Sequence, residues 1–394
     1  MSPRVASRFL ALLGEFLQRD AQWSQRKKTG NSMVPSPRSM QDFSPEWLNQ
    51  VLSKYLPGGV TVSGVDVEPI GDNLGYMGIL ARLKPQFSGP RPANLPETFV
   101  AKLPATDESA LETGMALRAY ERESLFYSNC ADAVPCDPPR HYHSVCDVEL
   151  RDFAILMEDL TDVRFVNQVD GTRPEDAMLF IEGLADLHGQ FWDNDALHRL
   201  DWLPDISEFG VAYKPLLESG LPQYKANWID RHAPEIAEVF DLANERYPEV
   251  VTRLSQFPCT LVHCDPRIEN VAFEATGGRD RVRLYGWQLV SRGPAAYDVM
   301  YFMKHSLDLD VRREIQGDLF DRYLARLSTH GVTYSRHQLE QDIGMATCTI
   351  WSFLSMIGNF FFPTEINSKL AEVTLPRFDG MIHDFGGVEW LKSL

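Results

Sequence analysis

The stretch Leu261-Val-His-Cys-Asp-Pro-Arg-Ile-Glu-Asn-Val-Ala-Phe273 constrains this chain more than any other. Apolar residues lead into it (Leu261, Val262) and out of it (Val271, Ala272, Phe273). A second apolar run, Val282-Arg-Leu-Tyr285, follows a turn at Gly277-Gly278. Short apolar runs bounded by turn residues read as buried strands. The pattern is therefore strand, loop, strand, with His263, Asp265, Arg267, Glu269 and Asn270 crowded into the loop. A carboxylate and an amide five positions apart, on a loop pinned at both ends, suit one chemistry well. Asp265 can orient and deprotonate a hydroxyl, while the Asn270 amide oxygen takes a Mg2+ that bridges phosphates. The bland alternative is an Asx-rich turn in which both side chains cap backbone groups. A lone pair at this spacing favours the bland alternative; the flanks shift the balance.

Downstream lies Gly286-Trp-Gln-Leu-Val-Ser-Arg-Gly-Pro-Ala-Ala-Tyr-Asp298-Val-Met-Tyr-Phe302. Upstream, Phe99-Val-Ala-Lys102 reads as an apolar strand carrying one lysine. By itself such a lysine is usually an edge or solvent-facing residue. Leu117-Arg-Ala-Tyr-Glu-Arg-Glu123-Ser-Leu-Phe-Tyr127 reads as a helix carrying Glu121, the more solvated carboxylate, and Glu123. Gly71-Asp-Asn-Leu-Gly-Tyr-Met-Gly78 joins two strand-like segments, where glycines let backbone N–H groups approach phosphate oxygens. An ordinary hairpin reads equally well there. Phe153-Ala-Ile-Leu-Met-Glu-Asp-Leu160 is a buried strand with an acidic turn.

On these residues the chain resembles the aminoglycoside-phosphotransferase and choline-kinase-like superfamily, nearest its ecdysteroid-kinase-like branch, from about residue 60 to about 380. The resemblance implies an α+β, two-lobed protein-kinase-like fold. It places an N-terminal extension over residues 1–40, a small β-rich lobe over 41–157 and a larger helical lobe over 158–394, with the nucleotide between the lobes. Residue by residue, it implies that Lys102 and Glu123 clamp the phosphates, with Gly75 and Gly78 close by, and that Met157 and Glu158 meet the adenine edge. Asp265 would be the catalytic base, accompanied by Arg267, and Asn270 the metal ligand. ATP and Mg2+ are the implied cofactors. The family's second metal-binding carboxylate, the first residue of its Asp-Trp-Gln segment, corresponds here to Gly286, which offers only a backbone carbonyl. Asp298 is expected to brace the catalytic loop by accepting backbone N–H bonds.

With 394 residues there is chain for two or three domains and a sizeable core. A net charge of -17 argues against a nucleic-acid-binding surface, while leaving room for a local basic pocket. Six cysteines without disulfide-dense spacing read as reduced thiols in a cytoplasmic setting, and the spacing of Cys130, Cys136, His141, His143 and Cys146 does not match a zinc site. No apolar run approaches the roughly 18 to 20 residues that span a bilayer. Residues Phe9 to Leu17 read as one amphipathic helix, followed by a polar, disordered linker.

Helices are expected over Pro45–Leu56 (Ser44 as N-cap), Pro174–Trp192, within 207–255, and over Arg312–Thr329, Ser335–Phe362 and Asn367–Thr374. His188 reads as a satisfied core histidine. The run Trp351, Phe353, Met356, Ile357, Phe360, Phe361 and Phe362 is mostly core, with a subset available to line an apolar acceptor pocket. Three functional readings follow. One is transfer of the ATP γ-phosphate to a hydroxyl of a largely apolar small molecule. The second is a repurposed site catalysing cyclisation or isomerisation of an apolar metabolite. The third is a silent kinase fold that binds a ligand or partner.

Overall fold

The computed structural model describes residues 35–71, 78–278 and 280–394. They form two compact units, one running to Asp162 and taking back Tyr285–Leu289, the other comprising Val163–Leu284 and Val290–Leu394. Among the described residues, no helix is long and apolar enough to cross a membrane.

The first unit opens with helix α1 (Pro45–Val51). Ser44 accepts the Trp47 N–H and Pro45 takes the first helical position, as the sequence predicts. The helix is shorter than expected. Past Val51 the bonds from Ser53 to Gln50 and from Tyr55 to Leu52 tighten the chain into turns before Pro57-Gly58-Gly59. An antiparallel sheet follows, built from β1 (Val62–Ile70), β2 (Gly78–Phe87), β3 (Phe99–Pro104), then β4 (His141–Asp147) and β5 (Asp152–Glu158), in spatial order β1-β2-β3-β5-β4. Trp47, Leu48 and Val51 of α1 share one core with Phe99, Ala101 and Leu103. Because side chains alternate across a strand, Lys102 is carried to the opposite face. The helix expected around Leu117–Tyr127 is α3 (Ala119–Asn129); α2 (Glu108–Ala116) precedes it, and Arg118 at φ 54° separates the two. Gly114 lets them meet, since a Cβ there would lie 2.5 Å from the Tyr120 ring.

The second unit is mostly helical. After β6 (Val163–Phe165) come α4 (Pro174–Phe191), α5 (Phe209–Ala212), α6 (Lys214–Trp228), α7 (Pro234–Ala237) and α8 (Phe240–Leu254). Four short strands then frame the loop of interest: β7 (Cys259–Val262), β8 (Val271–Glu274), β9 (Arg281–Leu284) and β10 (Ser291–Pro294). β7 pairs with β10, and β8 lies between β6 and β9. The remaining helices are α9 (Ala295–Ser306), α10 (Leu309–Thr329), α11 (Arg336–Thr347), α12 (Ile350–Ile357), α13 (Glu365–Asp384) and α14 (Gly387–Lys392). The expected span Ser335–Phe362 thus breaks at Cys348-Thr349 and ends early, whereas the last expected helix is longer than Asn367–Thr374. Helices α6 and α12 touch backbone to backbone, with no space for a Cβ at Gly220 or Gly358 against Ser355 O and Gly220 O respectively.

Candidate functional site

The chemistry-bearing residues form two groups, one in each unit. In the first unit, Lys102 Nζ lies 2.6 Å from Glu123 Oε2, with Glu123 almost wholly buried. Glu121, the solvated neighbour in the sequence reading, pairs with Arg118 at 2.8 Å instead. A further partner was not foreseen: Gln288 Oε1 accepts from Lys102 Nζ at 2.7 Å. Its signal in the sequence was its place in the Gly-Trp-Gln segment. That segment is docked on α3 by Trp287, stacked on Phe126 at 3.9 Å and 11°, and by Arg122 Nη1, which donates to Leu289 O at 3.2 Å.

Gly286 adopts φ 80°, a left-handed conformation that glycine takes without steric penalty. At Gly78 a Cβ would lie 2.8 Å from Leu103 O and 3.5 Å from Lys102 Cε, so the bare glycine makes room for β3 and the lysine stem. Gly75 lies outside the described residues. Met157 is buried on β5, where it pairs with Val100 and His141. Glu158 is committed to Arg140: its N–H donates to Arg140 O at 2.8 Å, and its carboxylate accepts the Arg140 N–H at 2.9 Å. Asp159 ties the turn to the sheet through Arg82 Nε (2.6 Å) and Thr98 Oγ1 (2.7 Å).

In the second unit, β7 and β8 lead into and out of the loop as the sequence predicts. Cys264 sits at φ 65°, a strained conformation for a residue with a Cβ. What holds it is Asp298 of α9, fully buried, which accepts the N–H groups of His263 (2.7 Å) and Cys264 (2.9 Å). His188 is the core histidine expected, between Asp298 Oδ2 (3.3 Å) and the Tyr323 hydroxyl (2.8 Å). Asn270 Nδ2 donates to Asp265 O at 2.7 Å and to Asp265 Oδ2 at 3.0 Å. Its nitrogen engaged, Asn270 offers its amide oxygen to a cation. Arg267 Nε lies 3.7 Å from Asp265 Oδ1 and 3.9 Å from Glu269 Oε2. Asp265 is 5% exposed, and its Oδ1 makes no hydrogen bond among the described residues.

Aromatic side chains surround this loop. Tyr213 stacks on Phe209 and lies parallel to Tyr247, while Tyr301 meets Tyr297 and Phe353. Burial, and then the Asp265 charge, holds the Tyr301 phenol well above tyrosine's usual range. In the aromatic run that begins in α12 and continues past its end, Trp351 and Phe361 are core, Phe353 faces Tyr301, and Phe362 is exposed.

Among the described residues no group of three His, Cys, Asp or Glu is placed to hold a metal ion. Mg2+ in phosphoryl transfer is commonly bound by one or two protein oxygens together with substrate phosphates. The Asn270 amide oxygen fits that pattern; an all-protein cage does not.

The ethanolamine kinase of Plasmodium vivax has a similar fold, with a TM-score of 0.53 at 12% identity, covering 93% of this chain and 94% of that one. LicA in complex with AMP gives 0.51 at 12% identity, covering 86% and 97%; it is a choline kinase from Streptococcus pneumoniae. At such identities the likeness is one of fold, and that fold is the two-lobed, α+β, protein-kinase-like architecture. Comparison with curated proteins gave no match. The sequence model of the ecdysteroid kinase-like family matches residues 71–333, a span that holds Lys102, Glu123, Asp265, Asn270 and Asp298. This chain belongs to the ecdysteroid kinase-like family, among the kinase-fold small-molecule phosphotransferases.

Proposed function

We propose that the protein is an ATP- and Mg2+-dependent phosphotransferase acting on a hydroxyl of a largely apolar small molecule. One observation carries the reading: the buried Asp265 Oδ1 without a donor, on a loop otherwise fixed by Asn270 and Asp298. A buried anionic oxygen left undonated is unfavourable, and a substrate hydroxyl is a donor that would satisfy it. The acceptor oxygen attacks the γ-phosphorus, the bond from that phosphorus to the β,γ-bridging oxygen breaks, and ADP leaves with its electrons. The hydroxyl proton goes to Asp265. Lys102, held by Glu123 and Gln288, has one more N–H to give a phosphate oxygen. Mg2+ carried with the nucleotide would neutralise charge on the phosphate oxygens, with Asn270 as its protein ligand. The buried rings of Tyr213 and Tyr247, with the partly buried rings of Tyr297 and Phe353, support an apolar acceptor rather than a sugar.

Gly286 favours a second reading, a site that binds ligand without transferring phosphate or that has been turned to another reaction of an apolar metabolite. Calorimetry with ATP, with and without Mg2+, separates them. Mg2+-dependent binding is expected in the wild type, followed by transfer to a hydroxylated acceptor that Asp265→Asn lowers by about 100- to 10,000-fold while the fold persists. No binding at millimolar nucleotide would sink the phosphotransferase reading.

A further inference from the structure

Phosphoryl transfer as described leaves the buried amine of Lys304 without a task. Lys304 on α9 is 1% exposed. Among the described residues it makes no ion pair, and its hydrogen-bond partner is His305 Nε2 at 2.7 Å. Three ring faces close on the amine instead: Tyr301 at 4.2 Å, Phe353 at 3.9 Å and Phe378 at 4.6 Å from Nζ to centroid. Phe353 stands nearly perpendicular to both other rings, to Tyr301 at 80° and to Phe378 at 83°. His305 packs against all three, with centroids 4.4 to 4.9 Å away. A box of aromatic faces around a nitrogen is the arrangement that captures alkylammonium ions from solution. Here the nitrogen arrives on a covalent tether.

The box also adjoins the reacting carboxylate. Tyr301 is both a wall of the box and a neighbour of Asp265, whose charge raises the phenol. Burial pushes the Lys304 amine well below lysine's usual range, with Asp265 opposing that shift and Arg267 adding to it. An acceptor hydroxyl bonded to Asp265 would therefore come close to Tyr301, one wall of the box. Burying an amine without a carboxylate is unfavourable where an apolar side chain of the same volume would pack. Something other than packing must account for it.

We propose that Lys304 is a specificity-determining residue, whose tethered amine fills the Tyr301–Phe353–Phe378 box and so excludes alkylammonium acceptors, leaving the site to uncharged hydroxylated molecules. The word acceptor rests on the phosphotransferase reading; the exclusion is a binding property and does not. It is steric, and holds for the amine with or without its third proton.

The test is calorimetry on the nucleotide-free protein with tetramethylammonium and n-butylammonium chloride, at ionic strength balanced with NaCl. Lys304→Ala leaves a cavity walled by the three rings. It is expected to bind either cation at least tenfold tighter than the wild type, and to be stabilised by them in thermal melts. Lys304→Met, which refills the volume, is expected to behave as the wild type. Neopentyl alcohol, an uncharged probe of similar bulk, should not reproduce the gain. If Lys304→Ala does not fold, Lys304→Val opens part of the box and serves the same comparison. Wild-type protein that binds tetramethylammonium as tightly as the opened variant overturns the proposal, and so does a folded, opened variant that binds neither cation. ATP binding is read separately, so its failure would not be confused with either result.

Discussion

At the scale of single residues, Asp298 and Gly286 do opposite things to the same region of sequence. Asp298 contributes two acceptor oxygens that no solvent reaches, and both face N–H groups of the residues just before Asp265. It compensates the left-handed Cys264 that turns the loop, a conformation that costs about 1 to 2 kcal/mol for a residue with a Cβ. That role was readable from the motif, because a buried acidic residue at the start of a helix has few other uses. Gly286 withholds an oxygen. Its φ of 80° adds a fact the sequence could not convey, namely that any side chain there is strained. Gly286→Asp is accordingly expected to destabilise the protein by about 1 to 2 kcal/mol, seen as a lower melting temperature without ligand, yet to strengthen Mg2+-dependent ATP binding. Thermal melts with and without Mg-ATP check both halves. Unchanged affinity would mean that a carboxylate at this position does not point to the metal.

At the scale of elements, β4 carries a pH dependence. Burial holds the imidazoles of His141 and His143 down to about 4, from an ordinary value of 6.5, with neighbouring positive charge adding to the effect. Above about pH 7 both histidines are neutral in folded and unfolded chains alike, so they contribute no pH dependence there. Between 6.5 and 4 the unfolded chain takes up protons that the folded strand refuses, and stability falls as pH falls. The slope is at most about 1.4 kcal/mol per pH unit for each histidine. Urea titrations across that window should show the decline, and replacing both residues by Gln should flatten it relative to the wild type. An equal slope in the double variant would assign the acid sensitivity to the carboxylate ion pairs instead. The sequence marks these histidines as a doubtful zinc set; only the strand packing turns them into half-buried, proton-refusing groups.

At the scale of the whole molecule, the first unit is discontinuous in sequence. Tyr285–Leu289, between β9 and β10 in sequence, returns to it and brings Trp287 to Phe126 and Gln288 to Lys102. A fragment ending at residue 162 would contain every strand of the larger sheet yet leave Phe126 uncovered and Lys102 with one partner fewer. Losing a fully buried tryptophan costs about 3 to 5 kcal/mol, a large part of the stability of a unit this size. Such a fragment is expected to lack a cooperative melt, measured by circular dichroism, and to recover part of it when a peptide spanning residues 281–293 is added. A fragment that melts cooperatively alone would show that the returning segment is dispensable.

What the sequence alone determined was local and chemical. Strand, loop and strand around Asp265 follow from apolar runs on either side of a polar one, the alternation of Phe99 to Pro104 sends Lys102 away from the core, and Glu123 is reachable from it by helical spacing. These depend on residues close in the chain, where period and turn chemistry decide. The tertiary structure decided what depends on residues far apart. Gln288 meets Lys102 across 186 positions, and a lysine at 304 is enclosed by rings drawn from residues 301, 353 and 378. Such contacts leave no period in the sequence, because each is fixed only when the whole chain has closed around it.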